Sequence, residues 1–133
     1  MYLLDTNILI YAKNRKSISV REKIKSYDSS LLNISLFTVA ELLFGCAKSS
    51  DPIRNKKSLM EFLLPFNIIN FEQQDCDVYG KIRAFLEKNG KQIGTIDTFI
   101  GSLALSRNMI LVTSNVKEFN RIPGLQIEDW SES

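Results

Sequence analysis

Asp5, Glu41 and Asp97 are the residues whose types and settings point to chemistry. Asp5 ends the short apolar run Met1-Tyr2-Leu3-Leu4, and a second apolar run, Ile8-Leu9-Ile10, follows almost at once. A carboxylate between such neighbours is expensive to desolvate without a partner. Glu41 lies in the middle of Leu36-Phe37-Thr38-Val39-Ala40-Glu41-Leu42-Leu43-Phe44. That stretch predicts a helix apolar nearly all round, hence buried. Asp97 falls in the first turn of a further helix, behind Gly94-Thr95-Ile96. Asn115 is a fourth polar candidate, just past the apolar run that ends at Val112. Singly, each acid has a plainer role. Asp5, Thr6 or Asn7 can cap a helix, Glu41 can form a salt bridge, and Asp97 can interact with a helix N-terminus. Held together, the acids repel one another unless a cation neutralises them. An oxygen-only set selects a hard cation, Mg²⁺ or Mn²⁺. Such sites activate water and stabilise the charge that builds in phosphodiester hydrolysis.

Composition narrows the alternatives. The chain has no histidine, which removes Ser-His-Asp and Cys-His catalysis, histidine-ligated zinc and imidazole proton shuttling. Carboxylates, a metal or lysine must then carry any catalysis. Cys46 and Cys76 lie in helix-like apolar contexts and are expected to be reduced core residues of a cytoplasmic protein. No apolar stretch is long enough to span a membrane, and no signal peptide is expected at the start. The 133 residues, 44% of them hydrophobic, suffice for one domain with a proper core. The net charge of +2 permits nucleic-acid binding without arguing for it.

Positioning the acids requires alternating strands and helices. The N-terminal apolar run reads as a central parallel strand with Asp5 at its carboxyl end. A helix carrying Ile8, Leu9 and Tyr11 follows, then a second from near Ser17 or Ser19 with Val20, Ile24 and Tyr27 on one face. Leu31-Leu32-Asn33-Ile34 reads as a strand, with Ser35 capping the helix Leu36 to Lys48. Asp51-Pro52 starts another helix, which Pro65 stops. Asn67 to Phe71 reads as a third strand, Gln74 to Lys88 as a helix closed by Asn89-Gly90, and Met109 to Thr113 as a fourth strand. Leu125-Gln126-Ile127 reads as an edge strand with Trp130 packing beyond it. This alternation predicts an α/β fold with a largely parallel sheet. It puts Asp5 and Asn115 at one sheet edge. Asp97, at a helix start, is expected to need an irregular approach to that edge, with Gly90 and Gly94 permitting it.

Several blocks carry a family resemblance. Leu3-Leu4-Asp5-Thr6-Asn7 resembles the opening of PIN-domain nucleases, and Val39-Ala40-Glu41-Leu42 resembles their second block. Tyr79-Gly80-Lys81-Ile82-Arg83 and Gly94-Thr95-Ile96-Asp97-Thr98-Phe99-Ile100 resemble the VapC toxin branch of type II toxin–antitoxin systems. Val112-Thr113-Ser114-Asn115-Val116-Lys117-Glu118-Phe119 and Glu128-Asp129-Trp130 are similar to the same branch. No single block is specific, but four in the right order are. The resemblance implies a PIN-like three-layer α/β/α sandwich with a mostly parallel central sheet, one domain over residues 1–133. It implies a Mg²⁺-dependent endoribonuclease, a homodimer and neutralisation by a VapB-type antitoxin. Asp5, Glu41 and Asp97 take the places of the metal-holding catalytic acids. Asn115 takes the fourth catalytic position, where many PIN domains carry an acid. Thr6 and Thr113 are candidates to orient the carboxylates as hydrogen-bond donors. Glu118 is expected on the surface and Arg83 in a structural role.

Two other classes remain open at this stage. A catalytically inactive PIN-fold module that binds RNA or protein is one, supported only by Asn115. The other is a haloacid-dehalogenase-like phosphatase with Asp5 as nucleophile, against which Asn7 stands where a second aspartate is needed. Basic residues fall in clusters, Lys13, Arg15 and Lys16; Arg21, Lys23 and Lys25; Arg54, Lys56 and Lys57; Lys88 and Lys91. They are expected to form a local basic rim around the acids that grips a structured RNA, transfer RNA above all. Exposed apolar residues are expected on the second and fourth helices, where a partner helix would dock.

Overall fold

Five parallel strands in the order β3-β2-β1-β4-β5 form the central sheet of the computed structural model, which describes residues 1–131. The strands are β1 (Tyr2–Leu4), β2 (Leu32–Ser35), β3 (Asn67–Ile69), β4 (Ile110–Val112) and β5 (Ile127–Glu128). The helices are α1 (Thr6–Lys13), α2 (Ile18–Ser26), α3 (Leu36–Ala47), α4 (Pro52–Leu63), α5 (Gln73–Lys88), α6 (Thr95–Ser106) and α7 (Val116–Phe119). Local signals set most boundaries. Ser17 and Ser35 accept from the backbone N–H three residues on, Pro52 opens α4, and Glu72 and Asp75 form a reciprocal capping box on α5. After α5, Gly90 takes φ +62°, the left-handed conformation that lets the chain turn out of the helix.

Strand alternation divides the core into two layers. Leu4, Leu32, Ile34 and Val112 face α1 to α4, whereas Leu3 and Leu111 face α5 to α7. Right-handed crossovers account for this division, because the chain moves one way from β1 to β3 and the other way from β4 to β5. The direction reverses between β1 and β4, where ligands bind in open α/β sheets, outside the carboxyl strand ends. Register pairs Leu3 with Leu111 and Leu4 with Val112, so Asp5 and Thr113 emerge side by side at that edge.

Several expectations need correction. Helix α3 is not buried all round. Only Thr38, Val39 and Leu42 are buried, while Leu36 and Phe44 remain 46% and 65% exposed. Hydropathy counts apolar residues on a face but not the neighbours that would cover it. Cys76 is an exposed residue of α5, and Cys46 only flanks the core. Nor does Asp97 require an irregular approach. The end of α6 turns directly into β4, through Met109 N–H to the Ala104 carbonyl, so α6 runs antiparallel to that strand. Its first turn therefore lies at the carboxyl edge of the sheet. Among the described residues no helix is long and apolar enough to cross a membrane.

A buried ion pair ties the opposite end of this layer. Asp75 is fully buried, and Arg107 donates to both its oxygens, Nε to Oδ1 at 3.0 Å and Nη2 to Oδ2 at 2.8 Å. Burial alone would raise the Asp75 carboxyl, but the Arg107, Ser106 and Glu72 bonds hold it below the usual range.

Candidate active site

Asp5 serves two ends. It caps α1, its Oδ1 accepting from the Thr6 N–H at 2.7 Å, while Oδ2 accepts from the Thr113 hydroxyl at 2.8 Å. Its own N–H pairs with the Val112 carbonyl, extending the sheet by one bond. The residue is only 4% exposed. Burial raises its pKa, the Thr113 and Thr6 bonds oppose that, Glu41 adds to it, and the net displacement is upward. Capping and a role in the cluster are therefore compatible.

Glu41 is exposed, which corrects the buried position expected for it, because it lies on the outward flank of α3. The Thr6 hydroxyl donates to Glu41 Oε1 at 2.6 Å, and the buried Thr38 hydroxyl lies 3.1 Å from that of Thr6. Asp97 is half-buried. Burial, then the charges of Asp5, Glu41 and Glu118, push its carboxyl up to about 6. One acid thus senses the other three, and among the described residues no lysine or arginine forms an ion pair with any of them.

Glu118 is the acid that the sequence reading left on the surface. It is half-buried, carried toward Asp97 by the short turn of α7. Asn115 sits between Thr113 and Glu118 at the same edge. Its N–H donates to the Thr113 hydroxyl at 3.0 Å and its amide to Glu118 Oε2 at 3.3 Å, so it holds Glu118 in place. The signal was the three-residue spacing from Asn115 to Glu118, which puts both on one helical turn. Thr6 and Thr113 each contact a carboxylate as expected. Arg83 contacts none of the acids. It donates to the Tyr79 hydroxyl at 3.1 Å and pairs with Glu87 at 3.5 Å.

The donor chemistry fits a hard divalent cation: four carboxylates, no imidazole or thiolate, and mutual repulsion that a cation would relieve. Among the described residues, no three of these acids already stand close enough to enclose an ion. Asp5, Asp97 and Glu41, with Glu118 beside them, are the residues able to hold one. The basic clusters are not all at this edge. Lys13, Arg15, Arg21 and Lys25 gather around one depression beside α2. Lys13 ends α1, whose eight residues set it about 12 Å along the helix from Asp5.

Comparison with known proteins bears on this arrangement. The PIN domain family model matches residues 2–125. The tRNA(fMet)-specific endonuclease VapC of Shigella flexneri is 37% identical over 130 residues, covering 98% of each chain. Ribonuclease VapC1 of Haemophilus influenzae (strain R2866) is 38% identical over 133 residues, covering 99% of each. Among solved structures, VapBC2 from Rickettsia felis, bound to a DNA fragment from their promoter, superposes with a TM-score of 0.91. That match has 38% identity and covers 97% of this chain and 98% of the other.

Proposed function

The chain belongs to the PIN domain family and is a VapC ribonuclease toxin, and from that membership we propose a Mg²⁺-dependent endoribonuclease whose substrate is a structured RNA, transfer RNA above all. The observation that carries the proposal is that Asp5, Glu41 and Glu118 all bear on Asp97 at the carboxyl sheet edge, with no ion-paired lysine or arginine among the described residues. Asp5, Glu41 and Asp97 hold the cation, with Glu118 as a fourth acid. When bound, such a cation offsets the charge that builds on the phosphodiester and makes water a better nucleophile at neutral pH. Mn²⁺ substitutes, because the oxygen ligands suit it equally.

The chain's own residues supply placement. Thr113 and the Thr6 N–H fix both oxygens of Asp5, so its carboxylate does not swing when RNA arrives. The Thr6 hydroxyl holds Glu41 on the other flank, and Asn115 holds Glu118. The site opens at a sheet edge between helix starts, and the RNA segment proposed to enter it is a single-stranded loop, whose unpaired backbone is free to approach the acids.

A VapB-type antitoxin is the proposed partner. The Rickettsia felis relative is a VapBC assembly, and this chain leaves apolar residues in solvent on the helices where docking was expected. Ile18 on α2 is 72% exposed and Ile53 on α4 is 86% exposed, with Leu64 at 80% just past its end. We propose that an antitoxin helix covers part of this surface, that a basic side chain of the antitoxin reaches the acids, and that the toxin works as a homodimer.

The test is cleavage of intact tRNA, heat-unfolded tRNA and duplex DNA at two salt concentrations, with Mg²⁺ or EDTA. Intact tRNA should be cut in a loop, only with the cation, and binding should weaken steeply with salt. Equal cutting of all three substrates, or full activity in EDTA, would overturn the proposal.

A further inference from the structure

Against the first turn of α6 lies a cleft that no step above uses. It holds about 240 Å³ between α5 and α6, lined by Tyr79, Arg83, Glu87, Gln92, Thr95 and Thr98. It shares the first turn of α6 with Asp97: Thr95 and Thr98 flank that residue in sequence and face the cleft. Its position relative to the acids is fixed from the other side too. Arg121, whose N–H bonds the Glu118 carbonyl, donates Nη1 to the Gln92 carbonyl at 2.9 Å and so ties the cleft's loop to the segment bearing Glu118.

The cleft is built rather than incidental. Tyr79 stacks on Phe99 with ring centroids 4.0 Å apart and planes 6° apart, and Phe99 stacks on Phe37 at 4.9 Å. Phe71 closes the group edge-on against both phenylalanines. This stack sets the Tyr79 hydroxyl, which accepts from Arg83 Nη1, while Glu87 pairs with Nε. The guanidinium is thereby oriented on one side and open on the other, its side chain 56% exposed. A charged fork held this way suits a phosphate oxygen. The volume falls below the roughly 300–1,000 Å³ that encloses a drug-sized ligand, so the cleft takes the phosphate and part of one nucleotide rather than a longer segment.

We propose that this cleft is the subsite for the nucleotide adjoining the scissile phosphate, with Arg83 gripping that nucleotide's backbone phosphate. The inference rests on the endoribonuclease reading. It gives Arg83 a binding role beside the structural one expected for it, and adds a positive charge on the α5 side of Asp97. RNA is favoured over an acidic peptide because the cleft shares the first turn of α6 with Asp97, so a backbone held there continues toward the acids that cut it.

The experiment uses the full chain, a tRNA anticodon stem-loop and Mg²⁺, comparing wild type with Arg83→Met, Arg83→Lys and Tyr79→Phe. Arg83→Met should raise KM about tenfold with kcat within about twofold, and should flatten the dependence of log KM on log salt by about 0.7, one single-strand phosphate contact. Arg83→Lys should recover most of the KM and all of the salt slope. Tyr79→Phe, which keeps the stack but frees the guanidinium, should raise KM by a smaller factor. A purely structural arginine would instead lower the melting temperature and leave the salt slope unchanged. If wild type cuts RNA while Arg83→Met keeps its KM and slope, the subsite is wrong and the nuclease stands. Loss of antitoxin affinity with unchanged KM would assign Arg83 to the protein partner and overturn the inference. If wild type cuts no RNA under any condition, the nuclease reading itself fails.

Discussion

Thr113 donates its hydroxyl to Asp5 at 2.8 Å across a sequence separation of 108 residues. The bond exists because β1 and β4 are paired in register and end together. It also organises the far side of the site, since the same hydroxyl accepts from the Asn115 N–H. Replacing it with Thr113→Val keeps the shape and removes both bonds. We expect Mn²⁺ affinity and RNA cleavage to fall about 10–100-fold, the usual cost of losing a partner that orients a metal-holding group. Calorimetric titration with Mn²⁺ and a cleavage time course check this; unchanged affinity would show that Asp5 needs no such support.

Asp5→Asn and Asp97→Asn should each lower cleavage by at least about a hundredfold, a loss that added Mg²⁺ does not restore. Both variants should stay folded. Asp97→Asn should melt no lower than wild type in EDTA, because one charge leaves a repelling cluster. Circular dichroism melts beside the activity assay decide the matter, and retention of full activity in either variant would remove that residue from the site.

The metal-free protein should lose stability as pH rises from about 4 to about 7. The sign follows from Asp97, raised from 3.8 to about 6 in the folded state, so that the folded protein holds more protons than the unfolded chain between those values. The stabilising protonated form is fully present below 3.8 and is lost as pH passes 6. Asp5, also raised, adds in the same direction. Asp75 acts oppositely: its carboxyl is lowered, so its contribution is present above 3.8 and lost only at more acid pH, outside the Asp97 window. Melting temperatures across this range in EDTA should slope downward, and Asp97→Asn should flatten the slope. A flat wild-type profile would contradict the coupling.

Arg107→Ala should destabilise by about 3–5 kcal/mol, because it leaves the fully buried Asp75 charged and unpaired. Arg107 also donates to the Asn70 carbonyl at 3.0 Å, so the start of α5 loosens as well. Urea unfolding measures the loss. Cleavage by the fraction still folded should be nearly unchanged, since this pair lies at the end of α6 remote from Asp97.

What the sequence by itself determined is what acts over a few residues. The apolar run broken by Asp5, the Ser35 cap, Pro52 opening α4 and Asn89-Gly90 closing α5 each encode a boundary through local sterics or a side-chain bond to nearby backbone. Their order specifies a parallel α/β fold, and the order of the acidic blocks specifies the family. Tertiary structure alone decided the rest. Glu41 is exposed because no element covers its flank of α3, a fact absent from α3's own hydropathy. Glu118 joins Asp97, and Arg107 reaches Asp75 across 32 residues, through packing of elements distant in the chain. Thr113 meets Asp5 through strand register, and Arg83 faces a cleft formed only when α5 and α6 lie side by side. Each of these contacts depends on the relative placement of two elements, which neither element's sequence specifies alone.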